Sequence, residues 1–304
     1  MVGKFADDTR ISDVVKRAKV NFLVILVLAR GKCGLSNCTT RCLVAMATSD
    51  LLFLLVNVIL WQLNNFYFPR NFLDITPVCS AVFVLIHVTT DCSVWFTVLF
   101  SFDRFVVICC QTLKRKYWTD KTLAVALAAT GILLCSKNIP FYFRFQPGRI
   151  VNNVPWGCRT KAIYYTDPRW LGYNWFDNVL TPFIPFVLIL LMNTLTVRYI
   201  LVVSRVRKSL KGQSKGESHK DAEMESRRKS VITLLTISTS FILLWFVYVT
   251  NFLYFAINGT TFGVFAPIGY LVKDVSCSTN TLFYAVTLSK FRAKFRNAMH
   301  QLVT

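Results

Sequence analysis

Charged side chains that fall inside or at the rim of long apolar stretches are the first place to look for chemistry in this sequence. They are Asp50, Asp91, the adjacent pair Asp103–Arg104 and the adjacent pair Lys273–Asp274. An ionisable group in hydrocarbon is costly, and one kept there is a functional candidate by default. Asp91 either joins a hydrogen-bond network between helices or touches a ligand. Lys273 and Asp274 either pair with each other or read a zwitterion, because an amino acid needs both a cation and an anion as partners. His87 faces either a cavity or another helix. Trp245, Tyr248 and Phe252 recur at helical spacing, which suits helix packing or stacking on an aromatic ligand. Asp103–Arg104 is at the least an interface anchor. No Cys/His metal cluster, Gly-rich phosphate loop or nucleophile triad is spaced along the chain, so an enzyme is not expected.

The elements that must position these residues are membrane helices. Of 304 residues, 54% are hydrophobic and 16% charged, whereas soluble domains average about 45–50% apolar and about 25% charged. The mean hydropathy is +0.47. Disorder is excluded by the apolar content, and a small disulfide scaffold by the sparseness of 10 cysteines. A helical span needs about 20 mainly apolar residues. The runs 43–61, 79–102, 122–143, 178–203, 231–257 and 262–288 meet that length, and Pro140, Pro182 and Pro185 lie inside them. A further run, 20–29, covers half a span. It follows a densely charged segment, 1–19, that lacks the apolar core of a signal peptide. The expected organisation is therefore an atypical segment 1–19 and a helical membrane domain 20–304 with a short first helix.

The net charge of +20 belongs either to a nucleic-acid binder or to a membrane protein with basic inner loops. Here Lys and Arg bunch between the apolar runs, around residues 30–41, 114–121, 198–229 and 290–296. The positive-inside rule places these stretches in the cytoplasm and the N-terminus outside, and nucleic acid is not expected as a partner. In the tail, Phe291, Phe295, Met299 and Leu302 share one helical stripe. This predicts an amphipathic helix over about 289–303 lying on membrane lipid.

Motifs now arrive in register. Asp103-Arg104-Phe105 closes the third helix, counting the short run 20–29 as the first, and Cys79 stands at the outer end of that same helix. Asn21 lies in V-N-F-L-V, Asp50 in M-A-T-S-D-L-L, Phe241-x-x-Leu244-Trp245 in the sixth helix, Pro185 in the fifth and Asn280-Thr281-Leu282-Phe283-Tyr284 in the seventh. Together these resemble the rhodopsin-like (class A) G-protein-coupled receptors over residues 20–304. The segments FLDITPVCS, TTDCSVWFTV, SFDRFVVICC and GILLCSKNIPFYF are most similar to the G-protein coupled receptor 139/142 group. The resemblance implies an all-α bundle of seven transmembrane helices in the plasma membrane. It also implies coupling to a heterotrimeric G protein, mainly of the Gq type, and an aromatic amino acid or peptide as ligand.

The resemblance further implies roles for particular residues. Cys79 and Cys158 form a disulfide, which suits an oxidising outer compartment. Asp103, Arg104, Phe105, Trp245, Asn280 and Tyr284 serve coupling and activation. Ile86, His87, Thr90, Trp245, Tyr248, Phe252, Tyr270, Lys273 and Asp274 line a ligand pocket. Asp50, with Ser93, Ser276 and Asn280, forms an allosteric Na⁺ site, unless Asp50 is protonated within a hydrogen-bond network. No other cofactor is implied. Asn258 heads a glycosylation sequon, Asn258-Gly259-Thr260, in an outer loop.

Several residues depart from the family pattern. Phe105, Val247 and Thr281 replace the usual Tyr, Pro and Pro, and Arg227 stands where an acidic partner for Arg104 often sits. Ile86 occupies the place where amine receptors hold an aspartate, which disfavours a monoamine. A retinal protein is the alternative from another class. Its Schiff-base lysine would fall on Asp274, while Lys273 is one residue off, about 100° around the helix. A transporter would show related halves, and none is visible. A truncated, non-signalling receptor product is the remaining alternative.

Overall fold

The computed structural model describes residues 2–30, 36–64, 71–211, 239–255, 257–258, 268–269 and 271–277. The expected tail helix 289–303, Tyr270, Asn280 and Tyr284 lie outside them. The first helix, α1, runs Val2–Ala29 without a break. The sequence expectation began it near Val20. The charged segment instead continues the same helix, because Lys, Arg and Ala favour helix whatever their polarity. Within its apolar part, Asn21, Leu23, Val24 and Leu28 are buried while Phe22 and Leu26 are exposed. Val24 and Leu28, one turn apart, pack on Cys42, Leu43, Met46 and Ala47 of the next helix.

That helix, α2, runs Asn37–Phe53 and is capped by Ser36, whose Oγ accepts from the Thr39 N–H at 3.3 Å. It continues as a π-helical stretch, Leu54–Leu63. Such stretches are frequent at functional sites, and this one presents Asn57 and Gln62 to Asp274. The central helix, α3, is Thr76–Cys109, 34 residues with Pro77 in its first turn. At 1.5 Å per residue it is about 50 Å long, more than the hydrocarbon thickness. Some buried hydroxyls along it bond backward to main-chain carbonyls, as at Thr97 on Ser93 and Ser101 on Thr97, and these two need no partner from another helix.

A short helix, α4 (Gln111–Lys116), precedes α5 (Asp120–Asn138), which Thr119 caps. Pro140 ends α5 in a 3₁₀ turn, Ile139–Arg144. Leu123, Leu127, Leu134 and Asn138 of α5 are buried, whereas Val125, Ile132 and Leu133 are exposed. That outward apolar face is what lipid contact requires. Two hairpins follow: β1 (Phe145–Gln146) pairs with β4 (Arg159–Thr160), and β2 (Arg149–Val151) with β3 (Val154–Trp156). Asn152 and Asn153, both with positive φ, make the β2–β3 turn. Helix α6 (Ile163–Thr166) leads to α7 (Pro168–Asn178). The Asp167 carboxyl caps α7 and is held below the usual range by hydrogen bonds from Arg169.

A kinked π-helical turn, Val179–Phe183, joins α7 to α8 (Ile184–Lys211). Thr181 leaves helical geometry at the kink and accepts from Trp95 Nε1 of α3 at 3.3 Å. The fifth span therefore begins at Pro168 rather than at residue 178. Hydropathy missed its first turns because α7 is aromatic but polar, as helices at a membrane–water interface are. Next come α9 (Thr239–Phe255), within the expected run 231–257, and α10 (271–277), within 262–288. Among the described residues four spans are long and apolar enough to cross a bilayer: Asn37–Gln62, Thr76–Cys109, Asp120–Arg144 and Pro168–Val206.

Candidate functional site

Three groups of residues are arranged along α3. Midway, Asp50 of α2 is wholly buried and accepts a hydrogen bond from Ser93 Oγ at 2.6 Å. Ser276 of α10 is buried too. A carboxylate and a hydroxyl are hard oxygen donors, which suits Na⁺, while Asn280 lies outside the described residues. Trp245 is buried against Phe241 and Tyr248, with ring centroids at 5.7 and 5.6 Å. Its indole N–H has no partner among the described residues.

At the inner end, Asp103 is wholly buried and forms an ion pair with its neighbour Arg104. Arg104 Nε donates to Asp103 at 3.2 Å, and its Nη2 donates to Thr39 Oγ1 at the start of α2. Trp118 Nε1 donates to the other Asp103 oxygen at 3.1 Å, and the guanidinium lies 5.6 Å from the Phe100 ring centre. The two charges are thus folded onto α2 and the 117–119 turn. Phe105 packs among Phe102 and the core of α3 and α8. Arg227 lies outside the described residues.

At the outer end, the residues expected to line a pocket divide. Ile86 is buried, and the Thr90 hydroxyl donates to the Ile86 carbonyl at 2.8 Å. His87 stacks on Phe141 with centroids 4.1 Å apart and lies 4.8 Å from Phe83. Of the two settings open to His87, the structure therefore has it against a neighbouring element. The others converge. Tyr248 donates to Asn178 Oδ1 at 3.4 Å, and the Lys273 ammonium lies 5.6 Å from the Tyr248 ring centre. Phe252 meets Trp175 edge-on at 5.1 Å. Lys273 pairs with Asp274 at 3.7 Å, and Asp274 Oδ2 also accepts from Asn57 at 3.1 Å and Gln62 at 3.5 Å. Asn258 is exposed, its amide bonded back to the Tyr254 carbonyl at 3.1 Å.

The sequence reading missed Lys137. It sits in the last turn of α5 and its ammonium bridges Asp91 of α3, at 2.6 Å, and Asp177 of α7. Asn138 Nδ2 donates to Asp91 Oδ2 at 2.7 Å, and the Tyr173 hydroxyl donates to the Lys137 carbonyl. Of the two settings open to Asp91, it is in the interhelical network. The signal was present as a lysine within the apolar run 122–143, which needs an anionic partner, but both partners lie far away in sequence. The same region is closed over by the outer hairpins. Cys158 is disulfide-bonded to Cys79 with Cα atoms 6.4 Å apart, and Thr76 Oγ1 donates to the Gly157 carbonyl at 2.7 Å. Arg144 is boxed by Tyr164, Phe83 and Phe145, at 4.1, 4.8 and 5.5 Å from the ring centres.

Comparison with known proteins agrees with this layout. Residues 20–289 match the model of the family described as 7 transmembrane receptor (rhodopsin family). The chain is 25% identical to the Allatostatin-A receptor of Bombyx mori over 296 residues, covering 92% of this chain and 75% of the relative. It is 24% identical to the Compound eye opsin BCRH2 of Hemigrapsus sanguineus over 261 residues, covering 82% of this chain and 66% of the relative.

Proposed function

The chain belongs to the rhodopsin family of seven-transmembrane receptors, and from that membership we propose that it carries an extracellular small-molecule signal across the plasma membrane to a heterotrimeric G protein of the Gq type. It is a multi-pass membrane receptor and not an enzyme. The ligand we assign is an aromatic amino acid or a peptide bearing one, in line with the resemblance of segments 72–80, 89–98, 101–110 and 131–143 to the G-protein coupled receptor 139/142 group. One observation carries the reading: the Lys273 ammonium lies over the Tyr248 ring, one turn above Trp245 and one below Phe252 on α9. A cation and a column of rings are what the carboxylate and side chain of an aromatic amino acid need.

In this reading the ligand shifts a population of helix arrangements through its differential affinity for them. Trp245 transmits the change inward, because it touches both Tyr248 above and Phe241 below. Arg104 is then released from Asp103 and Thr39 toward the G protein. A Na⁺ ion would be held by Asp50 and Ser93, with Ser276 and Asn280 completing the set, and would supply a charge that favours one arrangement. The test uses an N-terminally tagged receptor stained on intact cells, with calcium release read on tryptophan and phenylalanine in the same wells. Surface staining with a calcium response is the expected result. Surface staining with no response removes the amino-acid ligand, and absence from the surface favours a non-signalling product.

The likeness to an opsin gives a second reading, a retinal photoprotein. Asp274 at the Schiff-base position is tied to Asn57, Gln62 and Lys273, which argues against it. Visible absorption after retinal addition would reinstate it.

A further inference from the structure

Among the described residues, the outer cluster of Asp91, Lys137, Asn138 and Asp177 holds two carboxylates against one ammonium and one buried acceptor without a donor. Lys137 brings one ammonium to two carboxylates. Asn138 divides its Nδ2 between Asp91 and the Leu134 carbonyl, and its own Oδ1 has no donor among the described residues although the residue is 0% exposed. Asp177 engages Lys137 through Oδ1, and its side chain keeps 13% exposure against 4% for Asp91 and 8% for Lys137. An excess charge in a low-dielectric setting is costly, and a second cation relieves it. Of the three charged groups, Asp177 is the most accessible to a second cation.

The surroundings of Asp177 define the rest of that cation. The next residue, Asn178, accepts from the Tyr248 hydroxyl, and the Tyr248 ring underlies Lys273. Lys273 is near enough to act electrostatically on Asp177. Trp175, on the same helix, meets Phe252. The outer ends of α5, α7, α9 and α10 thus bring together a part-exposed carboxylate paired with Lys137, the rings of Trp175, Tyr248 and Phe252, and the Lys273 ammonium. The other acid at this end, Asp274, has both oxygens engaged by Lys273, Asn57 and Gln62.

We propose that Asp177 anchors the ammonium group of an aromatic amino-acid ligand, in exchange with Lys137. The inference rests on the amino-acid reading above and adds the residue that reads the amine and the internal cation it displaces. When the ligand's ammonium compensates Asp177, Lys137 stays with Asp91. The link from α5 to α7 then opens while the link from α5 to α3 holds. Lys273 takes the ligand carboxylate.

The test compares three probes on cells with matched surface staining: L-phenylalanine, 3-phenylpropionate, which lacks the ammonium, and phenethylamine, which lacks the carboxylate. Calcium release is read for the wild type, Asp177→Asn, Asp177→Glu and Lys137→Met. The wild type is expected to prefer phenylalanine to phenylpropionate by about 10- to 100-fold, the range of a hydrogen bond to a charged group. Asp177→Asn should bring that ratio close to one, Asp177→Glu should preserve most of it, and Lys137→Met should lower the half-maximal concentration of phenylalanine. A merely structural role for Asp177 would weaken both ligands alike, so an unchanged ratio in Asp177→Asn overturns the anchor and leaves the amino-acid reading standing. If Asp177→Asn fails to reach the surface, an unchanged phenylalanine potency in Lys137→Met overturns the exchange. A wild type at the surface that answers none of the three probes overturns the amino-acid reading and the anchor with it.

Discussion

Arg104 shows how the immediate surroundings restrain a single charged residue. Its guanidinium is shared between Asp103 on the same turn and Thr39 on α2, above the Phe100 ring. Thr39 is therefore a contact that ties α3 to α2 at the inner end, and its loss should be felt as signalling in the absence of ligand. A hydrogen bond to a charged group contributes about 1.5–3 kcal/mol. We expect Thr39→Val, which keeps the shape and removes the acceptor, to raise basal inositol phosphate by about tenfold or more, as the lower end of that range implies. Basal signalling equal to wild type at matched surface staining would mean that Asp103 alone holds Arg104.

Among the elements, the outer hairpins depend on two kinds of tether. The disulfide closes a separation of 79 residues between α3 and the loop, and Thr76 and Asp74 add hydrogen bonds to Gly157. The Arg144 box pins the other hairpin, β1–β4, to α3 through Phe83. Removing a cross-link over so long a loop costs about 2–5 kcal/mol. Cys158→Ser should therefore lower the melting temperature of the detergent-solubilised receptor, and reductant should do the same to the wild type only. Equal melting of the two proteins under oxidising conditions would show that the hydrogen bonds and the arginine box hold the loop unaided.

At the scale of the whole molecule, Asp91 of the outer cluster, Ser93 of the Asp50–Ser93 pair and the Asp103–Arg104 pair all lie on α3, so a shift of that helix is felt in all three groups. The middle pair is the natural place for an ion to bias it. Coupling between two sites typically amounts to about 1–3 kcal/mol and is reciprocal. Replacing Na⁺ by N-methylglucamine should shift agonist potency in the wild type by about fivefold or more, and Asp50→Asn should abolish that sensitivity. A shift of equal size in both proteins would place the salt effect elsewhere, and no shift in the wild type would favour a protonated Asp50.

Much of this architecture was legible in the chain because hydropathy is a local property. The runs 43–61, 79–102 and 122–143 fall inside observed spans, and the basic bunches orient them. Lone ionisable residues such as Asp50 and Asp91 were conspicuous for the same reason, since each stands out against its immediate neighbours. What tertiary structure decided was partnership and direction. Lys137 finds Asp91 and Asp177 only once three helices are side by side. His87 turns to Phe141 because of how α3 is rotated about its axis, which no periodicity specifies. The backward extent of α1 and the outer turns of α7 escaped the reading because helix formation depends on backbone hydrogen bonds, not on apolarity. Composition thus determined where a helix meets lipid, and packing determined which charges meet each other.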